Sequence, residues 1–225
     1  MAVCVTDFVQ GTLMLIALLA VPIMAYSIVG GGNVMSTLDA SGVAGGSAAY
    51  LSLFSNGGEA YKVVDIISGL AWGLGYCGMP HILVRFMAVR NEKELKKSKG
   101  IAIIWVFISL ACAWVIGILG RAYLFPEVLT GGEEEKVFIK MIIKLFSEDV
   151  KLPLIGGFFL CGILAAIMST ADSQLLVSAS SVAEDIVKGI IKKDADEKQI
   201  FRISRYTVLV IAVSVSYTHL TLPTT

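Results

Sequence analysis

Apolar residues in this chain come in long unbroken runs, not in the alternation of a half-buried strand or the narrow stripe of a soluble helix. Four runs reach the roughly 20 residues that a helix needs to cross about 30 Å of hydrocarbon. They cover about 3–29, 63–89, 101–125 and 154–183. A fifth run begins near Phe201 and fades by about 216, which predicts an incomplete span. Between the third and fourth runs, Val137, Met141, Ile142 and Leu145 share one helical face. That spacing predicts an external amphipathic helix over about 133–146, lying on the protein or at the membrane interface. The Gly- and Ser-rich segment 30–58 has no such period and reads as a flexible external loop. The fold class these runs predict is an all-α polytopic membrane protein.

Composition agrees. Of 225 residues, 56% are hydrophobic and 16% charged, with a formal net charge of zero. No global charge favours nucleic acid, and the information lies in where the charges sit. Arg90, Lys93, Lys96, Lys97 and Lys99 crowd one connection, and Lys188, Lys192, Lys193, Lys198, Arg202 and Arg205 another. The connection over 30–61 has no Lys or Arg, and 126–152 has more acids than bases. Basic flanks stay on the cytoplasmic side of a membrane. The expected chain is therefore multi-pass in the plasma (inner) membrane, with a cytoplasmic N-terminus. Cys4, Cys77, Cys112 and Cys161 stand far apart in apolar runs and read as small hydrophobes. With no nucleophile–base pair, metal cluster or phosphate loop in view, neither an enzyme nor a cofactor is expected.

Two polar features interrupt the apolar runs. In the fourth, Ala166, Ser169, Thr170 and Ser173 fall at i, i+3, i+4 and i+7, on one face of a helix. Hydrocarbon offers these groups no hydrogen bonds, so hydroxyls and carbonyl oxygens at that depth need partners. Such a face suits a small hard cation such as sodium; it equally suits hydroxyls that bond back to their own helix or allow close packing. Asp172 beside it is a carboxylate at membrane depth, and Asp7, at the membrane edge of the first run, is a functional candidate by default or equally a boundary residue solvated from the cytoplasm.

The second feature is the density of Gly69, Gly73, Gly75, Gly78 and Pro80 in the second run. These residues weaken a helix and predict a broken span, the kind transporters use to bind substrate. Trp72 and Tyr76 flank it as aromatic walls with polar handles. The alternative is an unbroken glycine-rich helix packed closely on a neighbour. Arg85, near the end of this run, is expected to snorkel to the interface, with pairing to a gate carboxylate as the alternative.

Two stretches carry a resemblance: Trp72-Gly-Leu-Gly-Tyr-Cys-Gly-Met-Pro-His-Ile-Leu-Val-Arg-Phe86, and Ile163-Leu-Ala-Ala-Ile-Met-Ser-Thr-Ala-Asp-Ser-Gln-Leu-Leu-Val177 followed by Glu184-Asp185. Over about 1–213 the chain resembles the sodium/solute symporter family, most closely its sodium/proline branch. The resemblance implies a LeuT-like inverted-repeat fold, of which this chain supplies about the fifth to ninth core helices as an internal fragment. The tail, 217–225, then reads as non-native. It further implies sodium as the coupling ion, held in part by the Ala166 carbonyl, Ser169 and Thr170. Asp7, Asp172 and Ser173 mark a possible second cation region. Trp72, Tyr76 and Pro80 match positions that contact a small zwitterionic solute, most closely proline. Cys77 and Met79 depart from the residues common in proline carriers, which keeps a sugar, pantothenate or carboxylate carrier, or a symporter-like sensor domain, as alternatives.

Overall fold

A computed structural model of the chain describes residues 2–42, 46–52, 54–56, 59–127, 129, 132–192 and 194–221. The first run forms one helix, α1 (Ala2–Val29), apolar on every side and with Pro22 in its interior. A helix that is apolar all round belongs in lipid or in a core. One edge, Ala17, Val21 and Ala25, is fully buried. It lies against α6 (Glu92–Leu124) and α8 (Pro153–Ser180). Small residues set the spacing: a Cβ on Gly162 of α8 would meet Ala17 Cβ at 3.5 Å, and one on Gly11 of α1 would meet the Trp105 ring of α6 at 3.5 Å.

Among the described residues, four helices are long and apolar enough to cross a membrane, and a bent pair makes a fifth candidate. That pair is α4 (Val63–Cys77) and α5 (Pro80–Met87), set at 49°. The break expected here is local. Gly69, Gly73 and Gly75 stay helical, and only Gly78 and Met79 leave the ladder, because Pro80 can begin a helix but cannot continue one.

Segment 30–58 corrects the loop expectation. A 3₁₀ turn (Gly31–Asn33), α2 (Val34–Ala40) and α3 (Gly46–Tyr50) lead to two paired two-residue strands, Ser55–Asn56 and Glu59–Ala60. Val34 and Leu38, four apart, bury themselves against α6, and Arg121 of α6 donates to the Ser41 carbonyl at 2.9 Å. The expected amphipathic helix is present as a 3₁₀ turn (Glu133–Lys136), α7 (Val137–Lys144) and a π turn (Leu145–Asp149). It seats Met141, Ile142, Leu145 and Phe146 in the core. Lys140 bonds Glu127 at 2.6 Å and Glu133 at 2.7 Å, and with Lys136 it holds the Glu133 carboxyl below its usual range. Tyr123 donates to Asp149 and lies under the Lys144 ammonium, 5.0 Å from the ring centre.

Close approach here depends on glycine. A Cβ on Gly120 would press on Val137 and come within 3.1 Å of Met141 Sδ. Gly120→Ala should therefore cost about 1–3 kcal/mol as overpacking, read as a lower melting temperature in detergent. Gly117→Ala, with open space around its Cβ inside α6, should instead raise the melting temperature slightly, by about 0.5–1 kcal/mol of helix propensity.

The last element corrects a second expectation. After α8 the chain runs through eleven residues of π-helical backbone (Ser181–Ile191) into α9 (Glu197–Thr221), which packs back on α8. Of α9, Glu197–Thr218 is long and apolar enough to cross a membrane. Its hydroxyls do not shorten it, because Thr207 donates to the Ile203 carbonyl and Thr218 to that of Ser214. The helix passes through the start of the segment set apart as a tail; residues 222–225 lie outside the described ones. Likewise Lys93, Lys96, Lys97 and Lys99 stand on the opening turns of α6 rather than in a loop.

Candidate functional site

The bundle is tight where α7 and α2 cover it and opens at the other end, which holds the first turns of α1, the end of α5 and the later half of α8. Four polar side chains meet there from three helices. Asp7 of α1 accepts from Ser169 Oγ of α8 at 2.7 Å. Its other oxygen accepts from Arg85 Nη2 of α5 at 2.6 Å, and the same Nη2 donates to Ser173 Oγ at 2.7 Å. The Asp7 side chain is 13% exposed and that of Arg85 57%. A carboxylate so sheltered in an apolar bundle needs this compensation, and a charge-assisted hydrogen bond is about twice as strong as a neutral one. One turn along α1, Gln10 holds a buried Oε1 with no hydrogen-bond partner among the described residues, an acceptor that a cation or water could satisfy.

On α8 the hydroxyls also bond to their own helix: Thr170 Oγ1 donates to the Ala166 carbonyl at 3.2 Å and Ser173 Oγ to that of Ser169 at 2.9 Å. Of the two readings of the polar face, the back-bonding one is seen directly for Thr170 and Ser173. Ala166, Ser169, Thr170 and Ser173 do share a face, back-bonding fixes two of the hydroxyls, and Ser169 reaches across to another helix. Asp172, one step round the helix, is exposed and lies outside this cluster. Asp7 and Ser173 are joined through a guanidinium, so the proposed second cation region already holds a positive charge.

Two cavities lie on either side of His81. One, about 520 Å³, is lined by Asp7, Arg85, Ser173 and Val177 among others. The other, about 480 Å³, is lined by Gly75, Gly78, Pro80, Gln174 and Ser178 among others, so it opens at the break between α4 and α5. Of the three expected substrate contacts, Pro80 reaches this cavity. Trp72 and Tyr76 do not: their rings lie 6.2 Å apart on a face of α4 that is exposed along its length. Sequence reasoning allowed Arg85 a carboxylate partner only as the second choice and did not name Asp7, and it passed over His81 and Gln174. Their signal is weak, because the contacts join residues 78, 88 and 162 positions apart.

Comparison with known proteins bears on this arrangement. The model of the sodium:solute symporter family matches residues 1–222. The chain is 42% identical over 214 residues to the osmoregulated proline transporter OpuE of Bacillus subtilis, covering 95% of this chain and 41% of that protein. It is 40% identical over 216 residues to sodium/proline symporter 2 of Staphylococcus saprophyticus and to the sodium/proline symporter of Staphylococcus aureus, covering 95% of this chain and 40% of each. The chain spans about two fifths of the length of these relatives. No solved structure matches it. The family match runs through every helix described above, so the chain is part of a multi-pass membrane protein and belongs to the sodium:solute symporter family.

Proposed function

We propose that this chain is the part of a sodium-coupled symporter that carries one wall of the cation site and the broken substrate helix, and that the transported solute is proline or a similarly small zwitterion. The observation that carries the reading is the meeting of Asp7, Arg85, Ser169 and Ser173 from three helices, beside a cavity at a span broken between Cys77 and Pro80. Sodium is hard and prefers oxygen, and the α8 face offers the Ala166 carbonyl and the Ser169 and Thr170 hydroxyls. In this reading the remaining ligands come from a helix outside this chain, within a LeuT-like inverted repeat. The basic connections lie in the cytoplasm, and with them the N-terminus and the Asp7 cluster. Pro80 and the freed backbone at Gly78 contact the solute, and Trp72 and Tyr76 face a partner helix across the substrate path. Relatives named as proline carriers support the choice of solute.

Coupling then follows from differential affinity. Sodium on the α8 face favours the arrangement that binds solute, and the solute raises sodium affinity by the same factor. Ser169→Ala and Thr170→Ala, each placed in a full-length symporter, should raise the sodium concentration for half-maximal uptake by about tenfold, from the loss of about 1.4 kcal/mol of ligation. Labelled proline uptake against sodium checks this. Wild-type sodium dependence in both variants would remove α8 from the cation site.

A further inference from the structure

The face of α6 that points away from the bundle is built in two parts. Lys93, Lys96 and Lys97 project from its first two turns on one side, and Gly100 follows on the same side. Below them, at steps of three and four residues, come Ile104, Phe107, Ala111 and Trp114, all exposed. From Lys97 to Phe107 the helix rises about 15 Å. Nothing lies within 4 Å of where a Gly100 Cβ would be, so the step between charge and apolar surface is open.

Ion pairing among the described residues does not account for the cations. Among the described residues none of Lys93, Lys96, Lys97 and the neighbouring Arg90 has a carboxylate within 4 Å, although Glu92 stands one helical turn from Lys96. Lys93 lies in the first turn, where a positive charge opposes the helix dipole. Glu92 and Glu94 offset that charge only in part, and Asn91 caps the turn by accepting from the Glu94 amide at 2.9 Å. An anion at this spot would neutralise the lysines and the helix terminus together.

We propose that this face is a binding site for anionic phospholipid, with Lys93, Lys96 and Lys97 on the headgroup and Ile104 and Phe107 along an acyl chain. The apolar continuation selects a lipid over free phosphate: a soluble anion would gain the charge but not the surface below it. A juxtamembrane lysine contributes about 1 kcal/mol to such binding, or about fivefold.

The test uses this 225-residue chain in nanodiscs of equal parts phosphatidylglycerol and phosphatidylcholine, with retained lipids counted by native mass spectrometry. Phosphatidylglycerol should be enriched over its bulk share. Lys93→Gln, Lys96→Gln and Lys97→Gln should each lower that enrichment by up to about fivefold, and the triple variant should abolish it. Lys136→Gln, at the far end of the bundle, should leave it unchanged. Because these lysines hold no carboxylate among the described residues, the triple variant should melt with the wild type, which separates lost binding from lost structure. Undiminished enrichment in the triple variant would leave the lysines with membrane orientation as their only role and overturn the proposal. Displacement of phosphatidylglycerol by an equal concentration of inorganic phosphate would overturn the assignment to lipid.

Discussion

Asp7→Ala should lower sodium-driven solute uptake by a full-length symporter about 100-fold. Asp7 accepts hydrogen bonds from Ser169 and Arg85 while its own side chain is 13% exposed. A hydrogen bond to a charged group contributes about 1.5–3 kcal/mol, and losing a net 2.7 kcal/mol at the rate-determining stage corresponds to about two decades. The damage extends beyond one contact, because Arg85 Nη2 would keep Ser173 but lose the carboxylate that fixes it. Asp7→Asn keeps the shape without the charge and should fall between. Arg85→Lys keeps a charge but presents a compact ammonium in place of the planar guanidinium, and should recover only part of the activity. Initial uptake rates in proteoliposomes, normalised to inserted protein, decide this. Wild-type rates for Asp7→Ala would reduce the cluster to a structural tie.

The largest stability effect should come from Phe146→Ala, at about 3–5 kcal/mol. Phe146 is 2% exposed, its ring lies 5.1 Å from that of Phe159, and a Cβ on Gly156 would meet it at 2.8 Å. The cavity left behind would be closed in by α8 and the turn itself, with little room to collapse. Phe146→Leu, which keeps most of the volume, should lose less than half as much. Thermal unfolding of the chain in detergent gives both values. A loss below about 1 kcal/mol for the alanine variant would place this ring against lipid rather than protein.

Much of this architecture was legible because hydrocarbon imposes a simple code. Run length alone located α1, α6 and α8. The break before Pro80 was legible from proline chemistry, but its width was not: each of Gly69, Gly73 and Gly75 weakens a helix only slightly, and an otherwise apolar span holds them in line. The outer segment misled because Val34 and Leu38 are only two positions of a seven-residue helix, too few to show a period. The fifth span misled because Ser and Thr read as polar when counted, yet Thr207 and Thr218 satisfy themselves on their own carbonyls. At the site, Ala166, Ser169, Thr170 and Ser173 declared themselves by spacing, and Asp7 by its depth. The tie from Arg85 to both aspartate and serine could not be read, since no local pattern records a meeting of α1, α5 and α8. An isolated helix would let Arg85 snorkel; the Asp7 carboxylate across the groove holds it instead, the less favoured of the two readings.

The direction of three small protons on α8 has a consequence for which visitors that wall can receive. Ser169 points its hydrogen at Asp7, Thr170 at the carbonyl four residues back, and Ser173 likewise. Each hydroxyl has thus spent its only donor, and what it still turns outward is lone-pair density. Ser173 displays the result by receiving the N–H of Arg85. A surface wired in this way turns acceptors outward and keeps its hydroxyl hydrogens for the protein itself, which is the polarity the proposed cation role requires.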